Sequence, residues 1–228
     1  MREFFLANLS LETTNLVWVG LWLLVGTGFV LLVRAGFDYI RGFWATALYF
    51  AAGTLAAGRL FWTLLEPRIR CLEPEYALWG CGAVAVYLLV HLWLRRTRVV
   101  DPRVTERYPH IYWLRLDDRY IISKAFEVLF QQTMVLTLTL FLSRLGYRGW
   151  TLSLFFMVTF ALVHVPIAKL VGPFFGRYYF LSSLGGAVLF PQMILASQYG
   201  HVHSYIFHLG YYIASTVLFS VLWYPKRR

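Results

Sequence analysis

Long apolar runs separated by short polar stretches make up most of the chain. Seven runs are predicted as transmembrane helices, at about 15–33, 42–65, 76–94, 120–143, 150–168, 178–197 and 202–223. A helix needs about 20 apolar residues to cross a bilayer, and these runs show no strand-like alternation. Because lipid requires backbone groups to be hydrogen-bonded internally, the pattern predicts an all-α polytopic transmembrane bundle. It has seven spans, or eight if the N-terminal segment or a re-entrant piece also crosses.

The composition supports a membrane protein. Hydrophobic residues make up 59% of the chain and charged residues only 14%, whereas about a quarter of the residues in soluble domains are charged. The net charge of +10 would suggest a nucleic-acid partner in a soluble protein. Here the basic residues lie between the apolar runs, which is typical of membrane topology. We therefore expect membrane lipid, and no nucleic acid, as the surroundings of this chain.

The distribution of Lys and Arg predicts an orientation. Fourteen lie on one side of the predicted spans and five on the other, with Arg59 and Lys124 inside spans. By the positive-inside rule, the N-terminus is predicted to lie outside and the C-terminus in the cytoplasm. The membrane is predicted to be a plasma (inner) membrane. Residues 1–119 then form three spans and a basic cytoplasmic loop, and residues 120–228 form a core of four spans, in one membrane domain.

One acidic residue lies alone in the last 110 residues of the chain. Ten of the eleven acidic residues lie at or before Asp118, and Glu127 lies about two turns into the fourth predicted span. An ionisable residue inside a span is costly and marks a candidate functional site. Gln131 leaves the same helix face, and Lys124 is close enough to pair with Glu127. Two interpretations stay open: Glu127 is functional, or Lys124 pairs with it or snorkels to the interface.

Two histidines add to this signal. His164 lies in the fifth predicted span and His208 in the seventh, with Tyr212 one turn later. A single buried histidine is usually a hydrogen-bonded structural residue. Two histidines and a lone carboxylate on separate spans could instead converge on one polar cavity.

Three short motifs lie in order on three predicted spans: FEVLFQ at residues 126–131, FALVH at 160–164 and HLGYY at 208–212. They resemble the motifs EExxxR, FxxxH and HxxxN, and the second fits fully. These are the motifs that the CPBP family of intramembrane proteases, which includes CAAX prenyl endopeptidases and bacteriocin-processing enzymes, carries on separate helices. The resemblance covers the segment from about 120 to 215, and the order and placement of the motifs on three spans carry it.

The resemblance implies an endopeptidase that acts on a peptide or membrane-protein substrate. Glu127 would activate water, and His164 and His208 would assist the oxyanion. The supporting residues would be Gln131, Tyr212, Phe160 and Lys124.

The chain departs from the family pattern at three positions. Phe126 stands where the family has its first Glu, Gln131 replaces the Arg, and Tyr212 replaces the Asn. Either Glu127 has taken over the role of the base, or the chain is a catalytically inactive family member. The inactive form would be a membrane subunit that binds a partner peptide or helix.

No cofactor is expected, but two alternatives use the histidines. A divalent metal such as zinc could be bound by His164, His208 and Glu127, because two histidines and a glutamate form a known zinc ligand set. A redox protein could instead use His91, His164 or His208 as axial haem ligands.

Overall fold

The computed structural model describes residues 11–227, except for the side chains of residues 11, 12, 166–168 and 170. In that part of the chain the helices are α1 (Leu11–Arg34), α2 (Phe43–Leu60), α3 (Trp62–Ile69), α4 (Pro74–Thr97), α5 (Pro102–Arg107), α6 (Arg119–Arg144), α7 (Gly149–Leu170), α8 (Pro173–Ala196) and α9 (Gly200–Trp223). A 3₁₀ turn, Tyr112–Arg115, precedes α6. Within residues 11–227 the β-type pairing is one isolated bridge between Arg98 and Lys226. The all-α class is therefore confirmed.

Five of the described helices are long and apolar enough to cross a membrane: α1, α4, α6, α8 and α9. The pair α2 and α3 would add a sixth crossing if it is one broken span. In α7, the described side chains form an apolar stretch over Gly149–Val165. These helices indicate an integral membrane protein. The count of seven or eight spans stays a prediction.

The predicted second span, 42–65, is not one straight helix. The chain breaks at Phe61, and α3 leaves α2 at an angle of 101°. On α3, Glu66 pairs with Arg70, and both charges would be costly in hydrocarbon. Arg68 also donates to the Ser197 carbonyl, at 2.8 Å, and so ties α3 to the end of α8.

The centre of the bundle is α6. Of its most apolar 18 residues 72% are buried, against 17–33% for the other four spanning helices. It contacts α1, α2, α4, α7, α8 and α9. The Trp18 indole N–H donates to the Met134 carbonyl at 2.8 Å, which fixes α1 against α6. Interhelical hydrogen bonds and close packing hold membrane bundles together, because lipid supplies no hydrophobic drive between helices.

The loop between α4 and α6 folds back against the helices. Its 3₁₀ turn buries Tyr112, Trp113 and Leu114. The Trp113 indole N–H donates to the Tyr179 hydroxyl of α8 at 2.9 Å, and the Tyr224 hydroxyl donates to the Leu114 carbonyl at 2.5 Å. This segment therefore closes one end of the bundle and adds residues to the cavity described next.

Candidate functional site

A cavity of 420 Å³ lies between α1, α6, α7, α8 and α9. That volume is in the range of about 300–1,000 Å³ for small-molecule sites. Much of the wall is aromatic, from Trp22, Phe29, Phe50, Phe130, Phe190 and Phe207. The candidate catalytic and supporting residues of the sequence analysis also line it: Lys124, Glu127, Gln131, Phe160, His164, His208 and Tyr212. The structure thus brings the candidate residues of three helices to one cavity.

The Glu127 carboxylate accepts hydrogen bonds from three side chains. Lys124 Nζ lies 2.7 Å and the Tyr39 hydroxyl 2.5 Å from Oε2, and Gln131 Nε2 lies 2.8 Å from Oε1. The side chains of Lys124 and Glu127 are only 8% and 11% exposed. The pairing of Lys124 with Glu127 is confirmed, and the pair faces the cavity rather than lipid.

Tyr39 was not found by sequence reasoning. It lies in the loop between α1 and α2, is buried, and packs against the rings of Phe29, Tyr112 and Tyr120. Burial, and then the neighbouring Glu127 carboxylate, raises the pKa of the Tyr39 phenol well above its ordinary value. The Tyr39 hydroxyl therefore stays protonated and donates a hydrogen bond to Glu127 Oε2. Nothing in the sequence connects this loop residue to a carboxylate 88 positions later.

Lys124 also contacts two aromatic rings. Its Nζ lies 4.2 Å from the centroid of the Tyr212 ring and 5.4 Å from that of Tyr39. A cation over a ring face is stabilised by about 0.5–2 kcal/mol. Tyr212, at the last position of the HxxxN-like motif, thus presents its ring face to the ammonium group of the ion pair.

His208 is held by a second hydrogen-bonded group. Its Nδ1 lies 2.8 Å from Gln132 Nε2, and the Ser204 hydroxyl lies 2.9 Å from Gln132 Oε1. The ring stacks on Tyr212, with centroids 5.5 Å apart and planes at 18°. Sequence reasoning missed Gln132, which is buried. An amide side chain in an apolar run, directly after Gln131, was a usable signal, because buried polar groups need hydrogen-bond partners.

His164 is held by its own helix. Its Nδ1 lies 2.8 Å from the Phe160 carbonyl oxygen, and the two rings are 4.3 Å apart. Trp22 of α1 flanks the imidazole at 6.2 Å. Phe160 therefore supports His164 through both its backbone and its ring, which is a concrete role for the first residue of the FxxxH-like motif.

The described side chains add no support to either cofactor alternative. His91 is buried beside Asp118, with Nδ1 3.3 Å from Oδ1, and is not among the residues that line the cavity. Across the described side chains, no group of three or more His, Cys, Asp or Glu is arranged to hold a metal ion. The geometry therefore lends no support to a zinc site at Glu127, His164 and His208.

Three comparisons with known proteins add no further identification. No protein-family model, no curated protein and no solved structure matches this chain. The resemblance to the CPBP family therefore stays a prediction from the motifs of the sequence.

Proposed function

We propose that this chain is an intramembrane endopeptidase of the CPBP type, with the cavity around Glu127 as its active site. The observation that carries the proposal is convergence. Glu127 on α6, His164 on α7 and His208 on α9 line the same cavity, in helices that contribute them from distant parts of the sequence. A carboxylate and two imidazoles around a cavity are suited to acid–base chemistry.

Peptide hydrolysis needs an activated water and a donor to the oxyanion. Glu127 would be the base. Its Oε2 already accepts two hydrogen bonds, whereas Oε1 accepts one, from Gln131. A carboxylate oxygen has two lone pairs, so Oε1 keeps one for a water in the cavity. Lys124, Tyr39 and Gln131 hold the carboxylate in place, and the imidazoles serve the water and the oxyanion. This chemistry needs no cofactor.

The walls suit a peptide or membrane-protein substrate that enters from the bilayer. Aromatic and aliphatic side chains of α1 and α9 line the cavity beside the polar group, and apolar surroundings exclude competing water. Arg34 ends α1, Arg98 directly follows α4, and Lys226 follows α9. All three belong to the side of the predicted spans that has more Lys and Arg. We propose this side as the cytoplasmic face of a plasma membrane, with the N-terminus outside.

The test is hydrolysis in water enriched in ¹⁸O. The purified chain is reconstituted in liposomes together with membrane proteins, as candidate substrates, from the organism that encodes it. It should produce new peptide ends with ¹⁸O in the carboxyl group. A variant with both Lys124→Met and Glu127→Gln removes the carboxylate without leaving a charge unpaired. We expect it to lose at least about 100-fold in cleavage, which is the order of a general-base contribution. Absence of labelled ends with the wild-type chain, or equal labelling with the double variant, would overturn the proposal.

A second candidate is a catalytically silent membrane subunit that binds a partner peptide or helix in the same cavity. The observation that favours it is the satisfied carboxylate: Lys124, Tyr39 and Gln131 already provide hydrogen bonds to both oxygens of Glu127. Phe126, in place of the family's first Glu, points the same way. In this case the double variant at Lys124 and Glu127 would retain biological activity, and only obstruction of the cavity would abolish it.

Obstruction of the cavity can be tested at Gly26 of α1. Gly26 lines the cavity, and a Cβ added there meets nothing within 4 Å. We expect Gly26→Trp to fill the cavity and to reduce cleavage or partner binding at least tenfold, while the bundle stays folded. Gly20→Trp is the matched control, because Gly20 also has nothing within 4 Å and does not line the cavity. Equal effects of the two variants would show that the cavity is not used.

A further inference from the structure

The cavity has one positive charge without a partner, at its end on the side of the predicted spans that carries more Lys and Arg. The charged residues that line it, within the described part of the chain, are Arg34, Lys124 and Glu127. Lys124 and Glu127 pair at 2.7 Å, so their charges cancel. Arg34 is exposed and makes no hydrogen bond or ion pair with any described residue. Its guanidinium group is therefore available to a ligand in the cavity.

The rim of the cavity at this end consists of Arg34, His110 and Val171, which come from three segments. Arg34 ends α1, His110 lies in the loop between α5 and the 3₁₀ turn, and Val171 lies between α7 and α8. His110 is exposed as well, and its imidazole has an N–H donor in each of its tautomers. The rim therefore combines a fixed cation with a second hydrogen-bond donor.

Aromatic contacts hold the loop of His110 beside the ends of α1 and α8. Tyr112 packs on Tyr39, in the loop after α1, with ring centroids 5.0 Å apart. Tyr108 packs on Phe174, at the start of α8, with ring centroids 6.2 Å apart. His110 lies between these two tyrosines in the sequence, so its loop is anchored on both sides. The three segments of the rim therefore meet at one end of the bundle.

Away from the rim the cavity is long and mostly apolar. It follows α1 from Arg34 to Trp22, which is about 18 Å at the helical rise of about 1.5 Å per residue. Gly26 and Val30 line it between these two residues and are exposed, so the space along this face of α1 is open. A volume of 420 Å³ and this length suit one extended hydrocarbon chain rather than a whole two-chain lipid.

We propose that the cavity binds one acyl chain of an anionic phospholipid, whose phosphate lies at Arg34 and His110. A guanidinium group binds phosphate oxygens through paired N–H donors. Arg34 ends a helix that is long and apolar enough to span the membrane, so it lies at the level of the lipid headgroups. The apolar wall along α1 receives one chain, and the second chain stays in the bilayer.

The charge of the cavity favours an anionic lipid over a zwitterionic one. The ammonium group of a zwitterionic headgroup needs an anion, and Glu127 is the acidic residue among the described residues that line the cavity. Its carboxylate is already bonded by Lys124, Tyr39 and Gln131. Free phosphate has the right charge but leaves the apolar wall uncovered, which favours an amphiphile. The inference concerns the rim and does not depend on peptide cleavage.

Native mass spectrometry of the full chain in detergent micelles tests the headgroup. The chain is titrated with phosphatidylglycerol and with phosphatidylcholine that has the same acyl chains. We expect one phosphatidylglycerol to bind about fivefold more tightly or better, as one basic group near an anionic headgroup provides. Arg34→Gln should weaken its binding at least about tenfold, the order of a charge-assisted hydrogen bond, and His110→Gln should weaken it less.

Arg96→Gln is the matched control for Arg34→Gln. Arg96 also lies in the last turn of a long apolar helix, is exposed, and does not line the cavity. Its substitution should leave the affinity for phosphatidylglycerol almost unchanged. Equal losses in the two variants would show that the lipid responds to the general positive charge of this side, and would overturn the proposal. So would equal affinities of the wild-type chain for the two lipids.

Gly26→Trp tests whether the acyl chain enters the cavity, because it fills the space and leaves every charge in place. We expect it to weaken binding of phosphatidylglycerol at least tenfold, whereas Gly20→Trp should not. Unchanged binding by Gly26→Trp would place the lipid outside the cavity and refute the proposal. Full displacement of the lipid by inorganic phosphate, but not by chloride at equal ionic strength, would show a free-anion site instead. These titrations contain no peptide, so their failure is separate from an absence of ¹⁸O-labelled cleavage, which contradicts only the proposed function.

Discussion

Glu127→Gln alone is expected to destabilise the bundle by about 3–5 kcal/mol, because it leaves Lys124 as an uncompensated buried charge. Lys124 is 8% exposed and its Nζ lies 2.7 Å from Glu127 Oε2. Lys124→Met should cost somewhat less, since Tyr39 and Gln131 still donate to the carboxylate. The double variant should be close to wild type, because replacing a whole buried ion pair is often neutral.

The measurement is the free energy of unfolding of all four proteins in mixed micelles. The two single effects should fail to add, and their coupling isolates the pair. Glu66→Gln on α3 is the matched control, since Glu66 also forms an ion pair with a basic residue but is 31% exposed, and its partner Arg70 is 74% exposed. Its cost should stay under about 1 kcal/mol, as for other surface pairs. A Glu127→Gln variant as stable as the wild type would show that water solvates the pair through the cavity.

Gly200→Ala is expected to destabilise the fold at the upper end of the range of about 1–3 kcal/mol seen for overpacking. A Cβ at Gly200 would lie 2.7 Å from the Ile194 Cα and would also collide with the Met193 carbonyl oxygen. Both obstacles are backbone atoms of α8, which cannot rotate away. Gly200 begins α9, so any relief must move the helix that carries Ser204 and His208.

Gly210→Ala provides the control on the same helix. Gly210 is exposed, and an added Cβ there meets nothing within 4 Å. That substitution should stabilise α9 by up to about 1 kcal/mol, which is the helix-propensity difference between Ala and Gly. Unfolding in mixed micelles distinguishes the two variants. Equal stability of Gly200→Ala and Gly210→Ala would contradict the close approach of α8 and α9.

Sequence reasoning succeeded where the relevant contact was local. Lys124, Glu127 and Gln131 are three and four residues apart on one helix, and such neighbours meet in any α-helix. The apolar runs were identified as helices for a similar reason, because backbone satisfaction in lipid leaves few alternatives. The break at Phe61 was missed, since the hydropathy of the stretch 42–65 outweighed the charges of α3.

The residues missed at the cavity all depend on contacts between distant segments. Tyr39 reaches Glu127 from the loop after α1, and Gln132 reaches His208 across 76 positions. Neither contact has a spacing that a sequence pattern could show. Two histidines and a carboxylate were expected to share a cavity, but the hydrogen-bond partners of the two histidines could not be foreseen.

The sequence by itself determined that this is a helical membrane protein and that Glu127, with its neighbours on α6, lies inside it. Hydrophobic length and helical periodicity are properties of consecutive residues, and they act before any helix meets another. Only the tertiary structure decided that His164 and His208 join Glu127 at one cavity and that Tyr39 donates to the Glu127 carboxylate. It also decided that His164 contacts a backbone carbonyl and His208 a side-chain amide. These features arise from the packing of α1, α7 and α9 around α6, and side-chain packing between helices is not encoded in the order of residues along any one of them.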